Sequence, residues 1–458
     1  MAAPGPAERI LAELARHASA RPAVILDDDP TGTQTLRDVP VLTAWTADAI
    51  ARHLDEPVVF LSTNSRSLDE QAAVALVTDA VEAALAAARA RDRPISLVSR
   101  SDSTLRGHFP AETAAIARAA GAPDARVLLA PFFAEGGRVT VGDVHYLEGD
   151  AQRVPVAETE FARDPVFGYR ASALRDWVAE KHAAVGLPVP PLASLGLQLI
   201  RQGGPQAVAE ELRALSPRAV AIVNSEKNED IEIVALGALL AEQAGLPLVA
   251  RVAASYVRAR AGRRPAPLLP AAALPGNPAG LIVVGSHVET TTRQLEQLVE
   301  QRRERVMVRE LAVDALIGQD EAEIAGATAA VEEALRQGGT ALVASERTPR
   351  DVGLSGARAI SIALAEIVSR VRLRPAWVLA KGGITSSDVA RHGLRMTEAR
   401  VAGQLLPGVP VWIAQAGGRW PGLPLVVFPG NVGAPTALAD AVTRLGRDGR
   451  DGRDGREG

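Results

Sequence analysis

Cysteine is absent from this 458-residue chain, which removes disulfide frameworks, thiol nucleophiles and zinc–thiolate sites together. Aromatic residues amount to only 3%, so the cores have to be built from small and β-branched side chains, as in α/β layers. The histidines (His17, His53, His108, His145, His182, His287 and His392) show no HExxH or comparable spacing, and a catalytic zinc is not expected. No uninterrupted apolar run reaches the roughly 18 residues of a membrane span. Residues 1–20 read as an amphipathic helix with Glu8, Glu13 and Arg16, not as a secretion signal. A cytoplasmic protein without membrane contact is the expectation. Nor is there an excess of positive charge: the formal net charge is −4 and the Lys and Arg residues are scattered, so nothing forms a nucleic-acid footprint.

What is present is globular. Apolar residues make up 47% and charged residues 23%, enough for two cores in a chain too long for one. Short β-branched runs, Ala23–Leu26, Val58–Leu61, Ile95–Val98, Val127–Ala130, Ala219–Val223 and Leu248–Ala250, alternate with helix-like stretches such as 71–90 and 206–215. Continuous apolar strands are typical of sheets covered on both faces. Five prolines between Gly262 and Gly280 then exclude helix and central strand. Beyond them the alternation resumes at Leu281–Val284, Val306–Val308, Ala341–Ala344, Trp377–Ala380, Val411–Ala414 and Leu425–Phe428. The expected organisation is an α/β domain over 1–262, a proline-rich linker over 263–280, a second α/β domain over 281–445 and a flexible GRD-repeat tail over 446–458. The expected fold class is two α/β domains with mainly parallel sheets and an active site in the cleft between them.

Polar chemistry gathers where strands end. Asp27-Asp28-Asp29-Pro30-Thr31-Gly32-Thr33 follows the first strand directly, the position at which open α/β sheets bind ligands. Adjacent carboxylates repel unless they hold a cation, polarise hydroxyls or take a proton, although Asp, Pro and Gly also make ordinary turns. Ser62-Thr63-Asn64-Ser65-Arg66 and Arg100-Ser101-Asp102-Ser103-Thr104-Leu105-Arg106 follow two further strands. Their arginines can grip a carboxylate in bidentate fashion, their hydroxyls can bond a polyol, and Asp102 can accept a proton. In the second half, Gly285-Ser286, Lys381-Gly382-Gly383-Ile384-Thr385-Ser386 and Phe428-Pro429-Gly430-Asn431-Val432-Gly433 sit between strand and helix. Glycines let backbone N–H groups approach phosphate oxygens, with Lys381 and Thr385 as further donors. None is a Walker A loop or a GxGxxG fingerprint, and Ser387 and Asp388 could equally cap a helix beginning near Val389.

Together with Pro131–Thr140 and Glu158–Pro165, these motifs resemble the four-carbon acid sugar kinase family over most of both domains. The resemblance implies a sugar-acid-binding N-terminal domain, a nucleotide-binding C-terminal domain, and ATP-dependent phosphorylation of a threonate, erythronate or 3-oxo-tetronate, with Mg²⁺ accompanying ATP. It implies that Asp28, Asp29, Thr31, Gly32, Arg66, Ser101, Asp102 and Arg106 face the sugar acid, with Asp28 or Asp102 as proton acceptor. Ser286, Gly382, Gly383, Thr385 and Gly430 would bind ATP. No protein-held metal site is expected; the partners are the sugar acid and ATP, and a homodimer is left open. Ile384 stands where many members have Glu, and Thr33-Gln34-Thr35 where they have Ala-Asn-Asp, marking a distinct subgroup. Two other readings share the first motif: a haloacid-dehalogenase-type phosphatase with Asp27 as nucleophile, and a non-enzymatic sensor of ATP and sugar acid.

Overall fold

The β-branched runs become buried parallel strands, because each has helices over both faces and no side chain that must reach water. The computed structural model describes residues 5–149, 152–302, 305–347 and 352–446; nearly all of the GRD tail lies outside them. The chain divides into two compact units, one containing the residues up to Thr35 and Trp45–Pro265, the other Leu36–Ala44 and the residues from Ala266 onward.

In the first unit seven strands are parallel throughout. Their order is Val58–Ser62, Ala23–Asp27, Ser96–Arg100, Leu248–Val252, Arg126–Ala130, Val220–Val223 and Leu192–Leu195. From Ala23–Asp27 the chain goes to the neighbour on one side and then crosses to the neighbour on the other, so the end of this strand is a topological switch point, where a crevice opens. The register sets Asp27 level with Ser62 and Arg100, and Arg100 level with Val252. A separate antiparallel sheet, Arg138–Val141, Val144–Glu148 and Arg153–Pro155, is fastened by a reciprocal backbone pair between Thr140 and Ser225. Beneath it Phe109, Leu129, Tyr169, Leu174, Trp177 and Ile222 form a core. Helix Glu70–Ala90, capped by Asp69, is long and apolar enough to cross a membrane. It nevertheless carries Asp79 and Glu82, and it packs beside helices Ala47–Ala51 and Ala111–Ala119 through a stripe of alanines and valines.

In the second unit the parallel strands run Val306–Leu311, Thr340–Ser345, Gly280–Val284, Trp377–Lys381 and Pro424–Phe428. Here the switch point falls at Gly280–Val284, with Val284 level with Lys381 and Lys381 level with Phe428. The sheet then turns antiparallel through Val409–Ala414, Glu398–Leu406 and Pro40–Leu42. The last of these comes from the N-terminal part of the chain, an arrangement that domain limits drawn along the sequence do not anticipate. Glu398–Leu406 also escaped sequence detection: it buries alternate residues over much of its length and has no continuous apolar run.

Trp177 is fully buried and stacked on Phe109, with ring centroids 4.8 Å apart and planes 20° from parallel. Trp177→Ala is expected to destabilise the first unit by about 3–5 kcal/mol, measured by denaturant unfolding; a loss below ~1 kcal/mol would show that this core is not what holds the hairpin sheet and strand ends in place.

Candidate active site

Three strand ends of the first unit are joined by backbone before any side chain is considered. The Asp27 carbonyl accepts from the N–H groups of Thr63 and Asn64, Asp28 N–H donates to the Arg100 carbonyl, and Arg66 N–H donates to the Asp28 carbonyl. Ser101 N–H in turn donates to the Val252 carbonyl. The loops read separately in the sequence therefore converge, and so do their charges.

The three consecutive aspartates have different environments. Asp27 is 0% exposed and its two carboxylate oxygens have no hydrogen-bond partner among the described residues, with Arg100 Nη1 3.5 Å away. Burial pushes its pKa well up, against the field of Arg100. Gly32 lies against it: any Cβ there would overlap the Asp27 carboxylate. Gly32 thus makes room for the Asp27 carboxylate. Asp28 is also buried; its Oδ1 lies 3.5 Å from Arg100 Nη1 while Oδ2 has no partner among the described residues, and burial raises its pKa. Asp29 caps the short helix Pro30–Thr33 by accepting from Thr31 N–H at 2.9 Å and pairs with Arg66. Burial alone would raise its pKa, but Arg66 and Thr31 together bring it below the usual carboxylate range.

Asp102 is the most heavily neutralised of the acids. It pairs with Arg66 Nη1 at 3.2 Å and Arg106 Nε at 2.8 Å and accepts from Thr104. In spite of burial, Arg106 and Arg66 hold its carboxyl well below the usual range. Arg106 reaches onward to Asp164 at 3.5 Å. The structure thus unites Asp28, Asp29, Arg66, Asp102 and Arg106. Thr31 and Gly32 sit in the floor beside them, and Ser101 is buried with its Oγ 3.1 Å from Ser99 Oγ.

Other members of the cluster lay outside the sequence motifs. Arg251 is buried with its guanidinium over the rings of Phe109 and Trp177; an arginine inside the apolar run Leu248–Val252 was the readable signal. Glu112, in the first turn of helix Ala111–Ala119, is buried, and its Oε1 has no partner among the described residues. Burial, reinforced by the charge of Asp28, pushes its carboxyl up to about 7, against the pull of Ser65, Arg251 and Arg66. No motif marks it, because only the fold brings this helix beside Asp28. His145, held between Thr140 Oγ1 and the Ser103 carbonyl, and His108, bonded to the Leu68 carbonyl, brace loops.

The second unit directs backbone at its ligand space. Gly382, at φ +112°, precedes helix Gly383–Asp388 as an N-cap without a side-chain cap. The helix thus begins six residues before the start near Val389 that capping by Ser387 and Asp388 had suggested, and both of these lie inside it. The first-turn N–H groups of Gly383, Ile384 and Thr385 have no intrahelical acceptor. Across the adjacent turn, carbonyls are pulled inward. Lys381 Nζ donates to those of Pro429 at 2.6 Å and Gly430 at 3.2 Å, Thr291 Oγ1 to that of Gly430, and Gln294 Nε2 to those of Val432, Gly433 and Ala434. In a trans peptide the following N–H points the opposite way, so those of Gly430, Asn431, Gly433 and Ala434 face outward, and none has an acceptor among the described residues. Ser286 is joined to this turn through Thr291 Oγ1 at 3.1 Å. Lys381 is fully buried, 4.0 Å from the Phe428 ring centroid, and burial lowers its pKa to about 7. It reaches the turn from beneath. The product is a nest of free N–H groups suited to phosphate oxygens.

Glu112 gives a pH signature. A carboxyl raised in the folded state contributes stability that is intact below its ordinary pKa of 4.5 and is lost as pH rises through about 7. Relative to Glu112→Gln, the wild type should therefore lose on the order of 3 kcal/mol between those limits and then level off. Paired denaturant titrations across pH 4–8 measure this; a pH-independent difference would place the Glu112 carboxyl in water.

Comparison with known proteins accords with this division. A sugar-binding N-terminal domain model matches residues 23–260 and a nucleotide-binding C-terminal domain model matches residues 281–438. D-threonate kinase of Bordetella bronchiseptica is 31% identical over 402 residues, covering 86% of this chain and 87% of that protein. D-erythronate kinase of Heliobacterium modesticaldum is 29% identical over 243 residues, covering 52% of this chain and 49% of that protein. The fold is similar to that of the Haemophilus influenzae protein HI1011, with a TM-score of 0.61 and 17% identity over 92% of this chain and 100% of that one. With both domain models matched and its relatives named as kinases of four-carbon sugar acids, the chain belongs to the four-carbon acid sugar kinase family.

Proposed function

We propose that this protein transfers the γ-phosphoryl group of ATP to the terminal hydroxyl of a four-carbon sugar acid, with D-threonate and D-erythronate the first candidates. Membership of the family makes the chain a phosphotransferase acting on an alcohol group. The observation that carries the reading further is the pairing of roles: carboxylates set among arginines at one switch point, and outward N–H groups at the other.

Phosphoryl transfer depends mainly on alignment and charge neutralisation, with one group to accept the proton of the attacking hydroxyl. Asp28 suits that role better than Asp102. Its Oδ2 is unpartnered, and burial raises its basicity, whereas Asp102 is stabilised as an anion by two guanidiniums. Asp102 instead fixes Arg66 and Arg106 at the acid-binding end. Ser286, Gly382, Gly383, Thr385 and Gly430 line the phosphate nest, and Lys381 holds its turn in shape. Among the described residues no group of three or more His, Cys, Asp or Glu side chains is arranged around a metal position. A Mg²⁺ ion accompanying ATP would supply neutralisation of the phosphate charge.

A coupled ADP-release screen across four-carbon aldonic and oxo acids should give ATP-dependent turnover with at least one. ADP from none of them, or phosphate release from sugar phosphates without nucleotide, would sink the reading. Asp28→Asn should lower kcat about 10²–10⁴-fold with little change in KM. Asp102→Asn should act chiefly on the KM for the acid. Because Asp28 must be ionised to work and burial raises its pKa, kcat should climb with pH along a limb above the ordinary carboxylate range. Near wild-type turnover in Asp28→Asn would place the base elsewhere.

A further inference from the structure

Five guanidiniums surround the carboxylates of the first unit, and three of them are already paired: Arg66 with Asp29 and Asp102, Arg100 with Asp27 and Asp28, Arg106 with Asp102 and Asp164. Among the described residues, Arg138 and Arg251 have no carboxylate within 4.0 Å. Arg251 is 3% exposed, lies over two aromatic rings and donates to the Arg106 carbonyl. Arg138 is only partly buried.

Arg138 opens the hairpin strand Arg138–Val141 and pairs by backbone with Phe133, in the segment that follows strand Arg126–Ala130. Its guanidinium is 5.9 Å from the Phe133 centroid and 5.8 Å from that of Phe161, and the Arg106 guanidinium is 5.2 Å from the same Phe161 ring. Nη1 donates to the Gly136 carbonyl, while Nε is buried without an acceptor. Aromatic faces fix the plane of a guanidinium and leave its N–H edge for a planar anion. Asp102 supplies the nearest negative field, but its oxygens are occupied by Arg66, Arg106 and Thr104. Burial accordingly holds the Arg138 pKa down, whereas the carboxylate partners of Arg106 outweigh burial and raise its pKa. A guanidinium with no carboxylate of its own, on the ring it shares with Arg106, forms a place for a carboxylate from outside.

We propose that Arg138 is a specificity-determining residue that binds the carboxylate of the substrate beside Arg106, so that the site selects acids over the corresponding neutral polyols. This rests on the sugar-acid kinase reading. Arg138→Met keeps the packing on Phe133 and Phe161 and removes the charge. The KM for the acid should rise about 10- to 100-fold, with kcat changed only a few-fold and the KM for ATP unchanged. Preference for the four-carbon acid over the matching tetritol should collapse by the same factor, and Arg138→Lys should recover part of it. An unchanged KM for the acid overturns the assignment; so does a rise in the KM for ATP alone, which would assign Arg138 to a nucleotide phosphate. A binding arm separates this proposal from the kinase reading. The thermal shift that D-threonate or D-erythronate gives the nucleotide-free full chain should be absent with the tetritol and lost in Arg138→Met. If no acid is turned over, the kinase reading fails, yet the loss of that shift still supports Arg138; an acid-induced shift equal in wild type and variant overturns it, as does the absence of any acid-induced shift.

Discussion

The interlock of Arg66 with Asp29 and Asp102 is the interaction on which the acidic site depends. Taking these groups out of water costs several kcal/mol per ion, and a guanidinium shared between two carboxylates offsets this only if all three are held in register. Backbone supplies the register: Arg66 N–H bonds the Asp28 carbonyl, and Asp28 N–H bonds the Arg100 carbonyl. Once the interlock is made, each carboxylate acquires its own character. Asp29 and Asp102 are fixed as anions, while Asp27, Asp28 and Glu112, less fully compensated, become harder to ionise. One cluster of acids thereby yields both structural anions and a carboxyl able to accept a proton.

The two units solve related problems by different physical means. Both place their polar groups at the carboxyl ends of parallel strands, next to the strand where the chain reverses its direction of winding. The first unit uses side-chain charge, with arginines set among carboxylates. The second uses backbone N–H groups, turned outward because Lys381, Thr291 and Gln294 draw the neighbouring carbonyls inward. Backbone donors suit phosphate oxygens, which need many short contacts and no particular side chain.

Much of this was legible in the sequence. The strand runs that build both parallel sheets stand out as continuous β-branched segments, because burial on both faces leaves no polar alternation. The strand-end loops carrying Asp28, Asp102, Gly382 and Gly430 were visible for the same reason: each follows such a run directly. Elements half in water were not. Leu192–Leu195 is mostly part-exposed, strands Arg138–Val141 and Val144–Glu148 are largely part-exposed, and Pro40–Leu42 is too short to show a period.

Residue types and spacing by themselves determined that the polar groups gather at strand ends, that glycine turns precede helices in the second half, and that thiol chemistry is excluded. Only the tertiary structure decided which carboxylates are neutralised, because a pKa depends on burial and on partners distant in sequence, such as Arg66 for Asp29 and Asp102, and Asp28 for Glu112. It also decided that Gly32 clears space for Asp27, that Lys381 shapes a turn from beneath, and that Arg138 keeps an unanswered charge beside Arg106. Each of these is a matter of what lies within a few ångströms in space, which neighbours along the chain do not specify.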